Sequence, residues 1–162
     1  MRKIVLTFGL IAGAMLSAMM LMILPFLDKI GFDKGEIIGY TTMVLAFLMV
    51  YFGVRSYRDN VVSVAGGTLT FGRAVLVGLL ITLVASTCYV ATWQVIYYKV
   101  TPDFVDKYAA HAMEKAKKSG ATDAQIAAQK KEMAEFVEFY KNPFFNIAMT
   151  FLEPLPVVLL FT

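Results

Sequence analysis

Side chains that do chemistry in water are scarce in this sequence. Its 162 residues hold one cysteine, one histidine and one tryptophan. A single cysteine, Cys88, excludes an internal disulfide and any multi-cysteine metal site. A lone histidine, His111, cannot supply the histidine pair of a zinc protease. Charge is also short, at 17% of residues against about 25% in globular proteins. The net charge of +3 is small and locally mixed in sign, which excludes a nucleic-acid partner. No Gly-Lys-Ser/Thr ending follows the glycine-rich 66–73 stretch, so a nucleotide loop is excluded as well.

Apolar residues fill the space instead, at 59% of the chain. Of the charged residues, 15 lie between Lys99 and Lys141 and 12 are spread over all the rest. Three charge-free stretches result. Residues 4–27 make a first span of ~36 Å, too long for a cleavable signal segment. Residues 37–54 make a second span of ~27 Å, and residues 74–98 a third that is long enough to tilt. Helices are the expectation, because lipid offers the backbone no hydrogen bonds and no strand-like alternation is present. Phe26 and Phe32, Tyr51, Phe52 and Tyr57, and Trp93, Tyr97 and Tyr98 sit where interfacial aromatics belong.

The C-terminal apolar stretch is broken by Glu153-Pro154-Leu155-Pro156. Proline removes a backbone donor and pushes its predecessor out of the helical region. Either residues 143–162 cross as one kinked helix, or the fourth span starts near residue 155 and is incomplete; the second is the expectation.

Between spans three and four, residues 101–141 read as a helical hairpin. Thr101-Pro102-Asp103 supplies a capping hydroxyl, a first-turn proline and an acid near the positive dipole end. Gly120 ends the first helix, and Thr122 with Gln125 forms a capping box for the second. Phe104, Tyr108, Ala112 and Ala116 stripe one helix; Ile126, Met133, Phe136, Val137 and Tyr140 stripe the other. Arg2, Lys3, Arg55, Arg58 and Arg73 favour a cytoplasmic N-terminus and an extracytoplasmic hairpin, although the hairpin itself carries eight basic residues from Lys99 to Lys141.

Ser56-Tyr57-Arg58-Asp59, Gly66-Gly67-Thr68-Leu69-Thr70-Phe71-Gly72-Arg73-Ala74, Cys88-Tyr89-Val90-Ala91-Thr92-Trp93, Pro102-Asp103-Phe104 and Phe151-Leu152-Glu153-Pro154-Leu155-Pro156 carry a likeness over nearly the whole chain. In these runs the sequence resembles a family of small bacterial inner-membrane proteins known only as a domain of unknown function. The resemblance implies four transmembrane helices with an extracytoplasmic helical insertion before the fourth. Members continue past the Glu-Pro-Leu-Pro stretch through a full span into a basic tail, where this sequence departs. The family brings no activity, so it assigns no site residues.

Within this all-α membrane bundle, Glu153 is the sharpest candidate, because an intramembrane acid is costly and usually functional. With Thr82, Ser86 and Tyr89 on the third span it defines a candidate polar site. The plainer reading, also the favoured one, leaves Glu153 at the membrane boundary. Gly78, Thr82 and Ser86 offer a small-residue face, and Gly9, Gly13 and Ser17 on the first span offer a surface to match it. Arg55, Arg58 and Arg73 are candidate lipid-phosphate contacts. Met15, Met19, Met20 and Met22 lack partners for copper, and no metal or cofactor is expected.

The favoured function is therefore a non-enzymatic accessory, assembly or sensing component of the bacterial inner membrane. Its expected partners are lipid, a membrane or periplasmic protein met by the hairpin, and a second copy of itself. The alternative is binding or transport of a small solute, ion or lipid at Glu153 and the polar face of span three. No nucleophile–base pair supports an enzyme.

Overall fold

A computed structural model describes residues 1–154, apart from the side chains of residues 64 and 65. The described chain is all-helical. Helix α1 spans Arg2–Ile23 and is followed by a 3-10 turn, Leu24–Phe26, and the short α2, Leu27–Ile30. Pro25 causes the break, since its ring clashes with the carbonyl four residues back and it has no N–H to donate. Helices α3 (Phe32–Ala65) and α4 (Phe71–Lys99) complete the apolar core; α5 (Phe104–Lys118), α6 (Asp123–Tyr140) and α7 (Pro143–Leu152) follow.

Three helical stretches, Arg2–Ile30, Phe32–Ser63 and Phe71–Lys99, are long and apolar enough to cross a membrane, with mean hydropathies of 2.3, 2.0 and 2.2. Helix α4 is the hub, because 44% of its apolar window is buried against 28% for each of the others. Leu16, Ala46, Phe47, Val50, Val77, Ile81 and Ala85 close the core completely. Leu10, Leu21, Ile37, Leu45, Leu79, Leu83 and Val95 point outward from the same helices. An apolar exterior around an apolar core suits lipid and not water.

Helices α1 and α4 run parallel. A Cβ on Gly9 would meet Val84, one on Gly13 would meet Cys88, and the Thr92 hydroxyl donates to that of Ser17 at 2.8 Å. This corrects the expected pairing: the Gly9–Gly13–Ser17 stripe lies on Val84, Cys88 and Thr92, a different face of α4 from Gly78, Thr82 and Ser86. The cause is angular. Residues 84, 88 and 92 repeat every four positions just as 9, 13 and 17 do, so the two rows stay in step along parallel helices.

The second helix extends well past residue 54, where the apolar run ends, and continues to Ala65. Arg55, Arg58, Asp59 and Asn60 are exposed on this extension, and the helix stops at Gly66, whose φ of +60° is the left-handed cap that glycine adopts without strain. Thr70 occupies the cap position of α4 in extended backbone, but its hydroxyl makes no capping bond. Thr101 fails as a cap too. Its N–H still bonds the Ile96 carbonyl to finish α4, so α5 begins only at Phe104 with Asp103 before it. The Thr122–Gln125 capping box is formed.

Helices α5 and α6 pack on each other across the short 119–122 connection. The stripe Ile126, Met133, Phe136, Val137 and Tyr140 is half-buried while the rest of α6 is mostly exposed. Helix α7 begins at Pro143 and ends at Leu152, ahead of the Glu153-Pro154 break. Residues 155–162, where the favoured start of the fourth span falls, lie outside the described residues.

Candidate functional site: a polar seam between α4 and α7

Helix α7 is set by its first residues. The Asn142 side chain accepts from the N–H groups of Phe144 and Phe145, and Pro143 has the fixed φ that a first turn requires. The helix is then inverted relative to one in water: Asn146 and Thr150 are buried, whereas Phe144, Ile147, Met149 and Leu152 are exposed. Asn146, Thr150 and Glu153 fall on one face at steps of four and three. That face packs on α4.

Two hydrogen bonds fix the register. The Tyr89 hydroxyl donates to Glu153 Oε2 at 2.9 Å, and Gln94 Nε2 donates to Asn146 Oδ1 at 2.7 Å. Position rises on α4 while it falls on α7, so the helices are antiparallel. Tyr89 lies ten residues, or ~15 Å, from the Lys99 end of α4. Glu153 is thus bonded deep along the apolar span, at the point where α7 stops. Tyr89 is buried, while Glu153 keeps an exposed surface. Pro154 follows and has no N–H, so the carbonyl four residues back, on Thr150, loses its helical donor.

Of the residues named from sequence, Glu153 and Tyr89 are brought together. Ser86 and Thr82 are buried one and two turns before Tyr89 on α4, and no hydrogen bond joins either to Glu153 among the described residues. Gly78 is buried in the same helix. The seam also contains Asn146 and Gln94, which meet each other, and Asn146 was not singled out in the sequence. The signal was available: an amide one turn before Thr150 and two before Glu153 in an apolar run.

At the opposite end of the bundle, Arg55 and Arg58 both turn to Asp59, at 4.0 and 2.9 Å. Arg55 and Asp59 line a shallow groove with Phe8, Phe52 and Ser56. Arg73 is exposed in the first turn of α4, with no ion pair to the other two among the described residues.

Helix α5 is tied across the α2–α3 corner. Lys107 donates to Asp28 at 2.8 Å and Lys115 to Asp33 at 2.9 Å; His111 lies 3.3 Å from Asp33 and stacks on Phe32. The hydrogen bonds that Lys107 and Lys115 donate to these carboxylates hold their ammonium groups above the usual lysine range. The Lys107 hydrogen bond holds the Asp103 carboxyl below the usual carboxylate range. Phe104 makes the apolar contact, edge-on to Trp93 at 4.9 Å and tilted against Phe32 at 5.9 Å.

No curated protein and no solved structure matches the chain. One family does, over residues 7–162, and it is described as protein of unknown function. The chain belongs to that family, DUF4199.

Proposed function

We propose that this is a multi-pass protein of the bacterial inner membrane that binds a proton or small cation at the Tyr89–Glu153 pair. The single observation that carries this reading is the 2.9 Å hydrogen bond between them, ~15 Å below the end of α4. A carboxyl at such depth is costly and persists where it is used. Its position at a helix C-terminus adds to the argument. The Thr150 carbonyl released by Pro154 and the negative end of the α7 dipole both favour a positive charge beside Glu153. Broken helices that present such ends within the membrane are a recurrent way to hold small cations. On this reading α7 is the outer half of a fourth span, and α5 with α6 forms an extracytoplasmic hairpin. The N-terminus is cytoplasmic with Arg55, Arg58 and Arg73, which reach lipid phosphates.

Infrared difference spectra in lipid, taken while the pH is stepped across the neutral range or sodium is exchanged for a bulky cation, test the site. The expected outcome is a carboxyl band that responds in the wild type, shifts in Tyr89→Phe and vanishes in Glu153→Gln. A wild-type protein with no responding band that depends on Glu153 rejects the proposal.

The accessory reading rests on a different observation. Lys107 and Lys115 are engaged within the chain, but the outer face of α6 is open, with Phe139 60% exposed and Lys130 free of any ion pair among the described residues. Crosslinking from Lys130 in native membranes should then capture one specific protein, and recovery of random neighbours alone counts against it.

A further inference from the structure

Two buried donors stand without partners where α4, α6 and α7 meet. Asn146 is fully buried; its Oδ1 accepts from Gln94, and its Nδ2 has no acceptor among the described residues. Trp93, 5% exposed, has an indole Nε1 in the same condition. Folded interiors rarely leave such groups unmet, and a small ordered acceptor is the usual explanation. The Tyr140 hydroxyl, from the end of α6, faces Trp93 and Thr150 without closing a bond to the indole. Two N–H donors and two hydroxyl oxygens on three helices match what one water molecule both accepts and donates. An anion would satisfy the donors but could give nothing to the hydroxyl oxygens.

The pattern sits beside the Tyr89–Glu153 pair. Trp93 and Gln94 come four and five residues after Tyr89 on α4, and Asn146 comes seven before Glu153 on α7. All of them lie between the carboxyl and the end of the bundle where α5 and α6 stand. On the other side of Tyr89 the fully buried positions of α4 are Ala85, Ile81 and Val77, with Ser86 and Thr82 the polar groups among them.

We propose that a bound water bridges Trp93 Nε1 and Asn146 Nδ2 and so ties α4 to α7 one to two turns from the Tyr89–Glu153 pair. This water site does not rest on the reading of Glu153 given above. Because Trp93 is the chain's one tryptophan, its indole N–H gives a single resonance in protein labelled at tryptophan nitrogen. In nanodiscs of phosphatidylethanolamine and phosphatidylglycerol, magnetisation should pass from water to that N–H, and the N–H should exchange in deuterated buffer. Both should persist in Glu153→Gln. An indole that receives nothing from water and does not exchange overturns the site.

The bridge is read separately, from Asn146→Leu, which removes the second donor and should weaken the passage of magnetisation from water to the indole. Unchanged passage in a folded Asn146→Leu protein overturns the bridge even if the indole meets water.

Discussion

At the scale of single residues, Gly13 and Gly39 form a natural pair for testing close packing. Both are helical glycines, yet a Cβ on Gly13 would lie 2.7 Å from Cys88 Cβ and 2.9 Å from its sulfur, whereas one on Gly39 would meet nothing within 4 Å. Cys88 Cβ cannot rotate away, so the helices must separate. Gly13→Ala should therefore cost about 1–3 kcal/mol through overpacking. Gly39→Ala should gain up to about 1 kcal/mol from helix propensity. Reversible unfolding in mixed micelles measures both, and equal effects would mean that the α1–α4 contact is loose. The small-residue stripe Gly9–Gly13–Ser17 was legible in the sequence because one helix determines its own faces. Its partner row was not, since Val84 and Cys88 are unremarkable until a parallel neighbour aligns with them. Asn146 follows the same logic: its face is readable, but its bond to Gln94 depends on a register that only two packed helices set.

Among the elements, α5 shows which forces hold a polar helix to the apolar bundle. Phe104 contacts Trp93 and Phe32, and Val105 behind it is 2% exposed. Lys107 and Lys115 reach Asp28 and Asp33 through water-exposed bonds, and screening weakens such pairs. Phe104→Ala should release α5, at a cost of about 2–3 kcal/mol, and strip protection from its amides in hydrogen exchange. Lys115→Met should leave that protection nearly intact. Loss of protection in the lysine variant and not in the alanine variant would reverse the assignment. The pH dependence follows from the signs. Asp103, with its carboxyl held low by Lys107 of the same helix, stabilises the first turn of α5 above the ordinary aspartate value of 3.8 and loses that contribution as pH falls through its lowered value. Lys107 and Lys115, held high, contribute below the ordinary lysine value of 10.5 and lose it as pH rises beyond. As far as these three groups control it, α5 protection should be flat between those limits. The start of α5 was misplaced in the sequence reading because Thr101-Pro102-Asp103 looks like a helix beginning, while the backbone of Thr101 is still completing α4.

For the whole molecule, the three long apolar helices were plain from charge-free runs, because exclusion of charge from hydrocarbon leaves its mark on every residue of a span. The polar end of α3 was not, since a helix that leaves the membrane into water loses the pattern that reveals it. The depth of Glu153 was equally hidden: position along the chain says nothing until Tyr89, 64 residues earlier, is seen to bond it. The arrangement places the start of α1, the end of α3 and the 66–70 connection at one end, and α5 with α6 at the other, by the parallel α1–α4 and antiparallel α4–α7 pairings. A membrane between those ends makes an accessible-side prediction. With native Cys88 replaced by alanine, single cysteines at Thr68 and Ala128, both exposed positions, report one end each. Arginines beside the spans favour the first end facing the cytoplasm. In spheroplasts an impermeant maleimide should therefore label Ala128→Cys directly and Thr68→Cys only after permeabilisation. The opposite pattern would invert the protein and send the seam at Trp93 toward the cytoplasm. Labelling of both positions in intact spheroplasts would mean that no bilayer separates the two ends, and Glu153 would then be no intramembrane carboxyl at all.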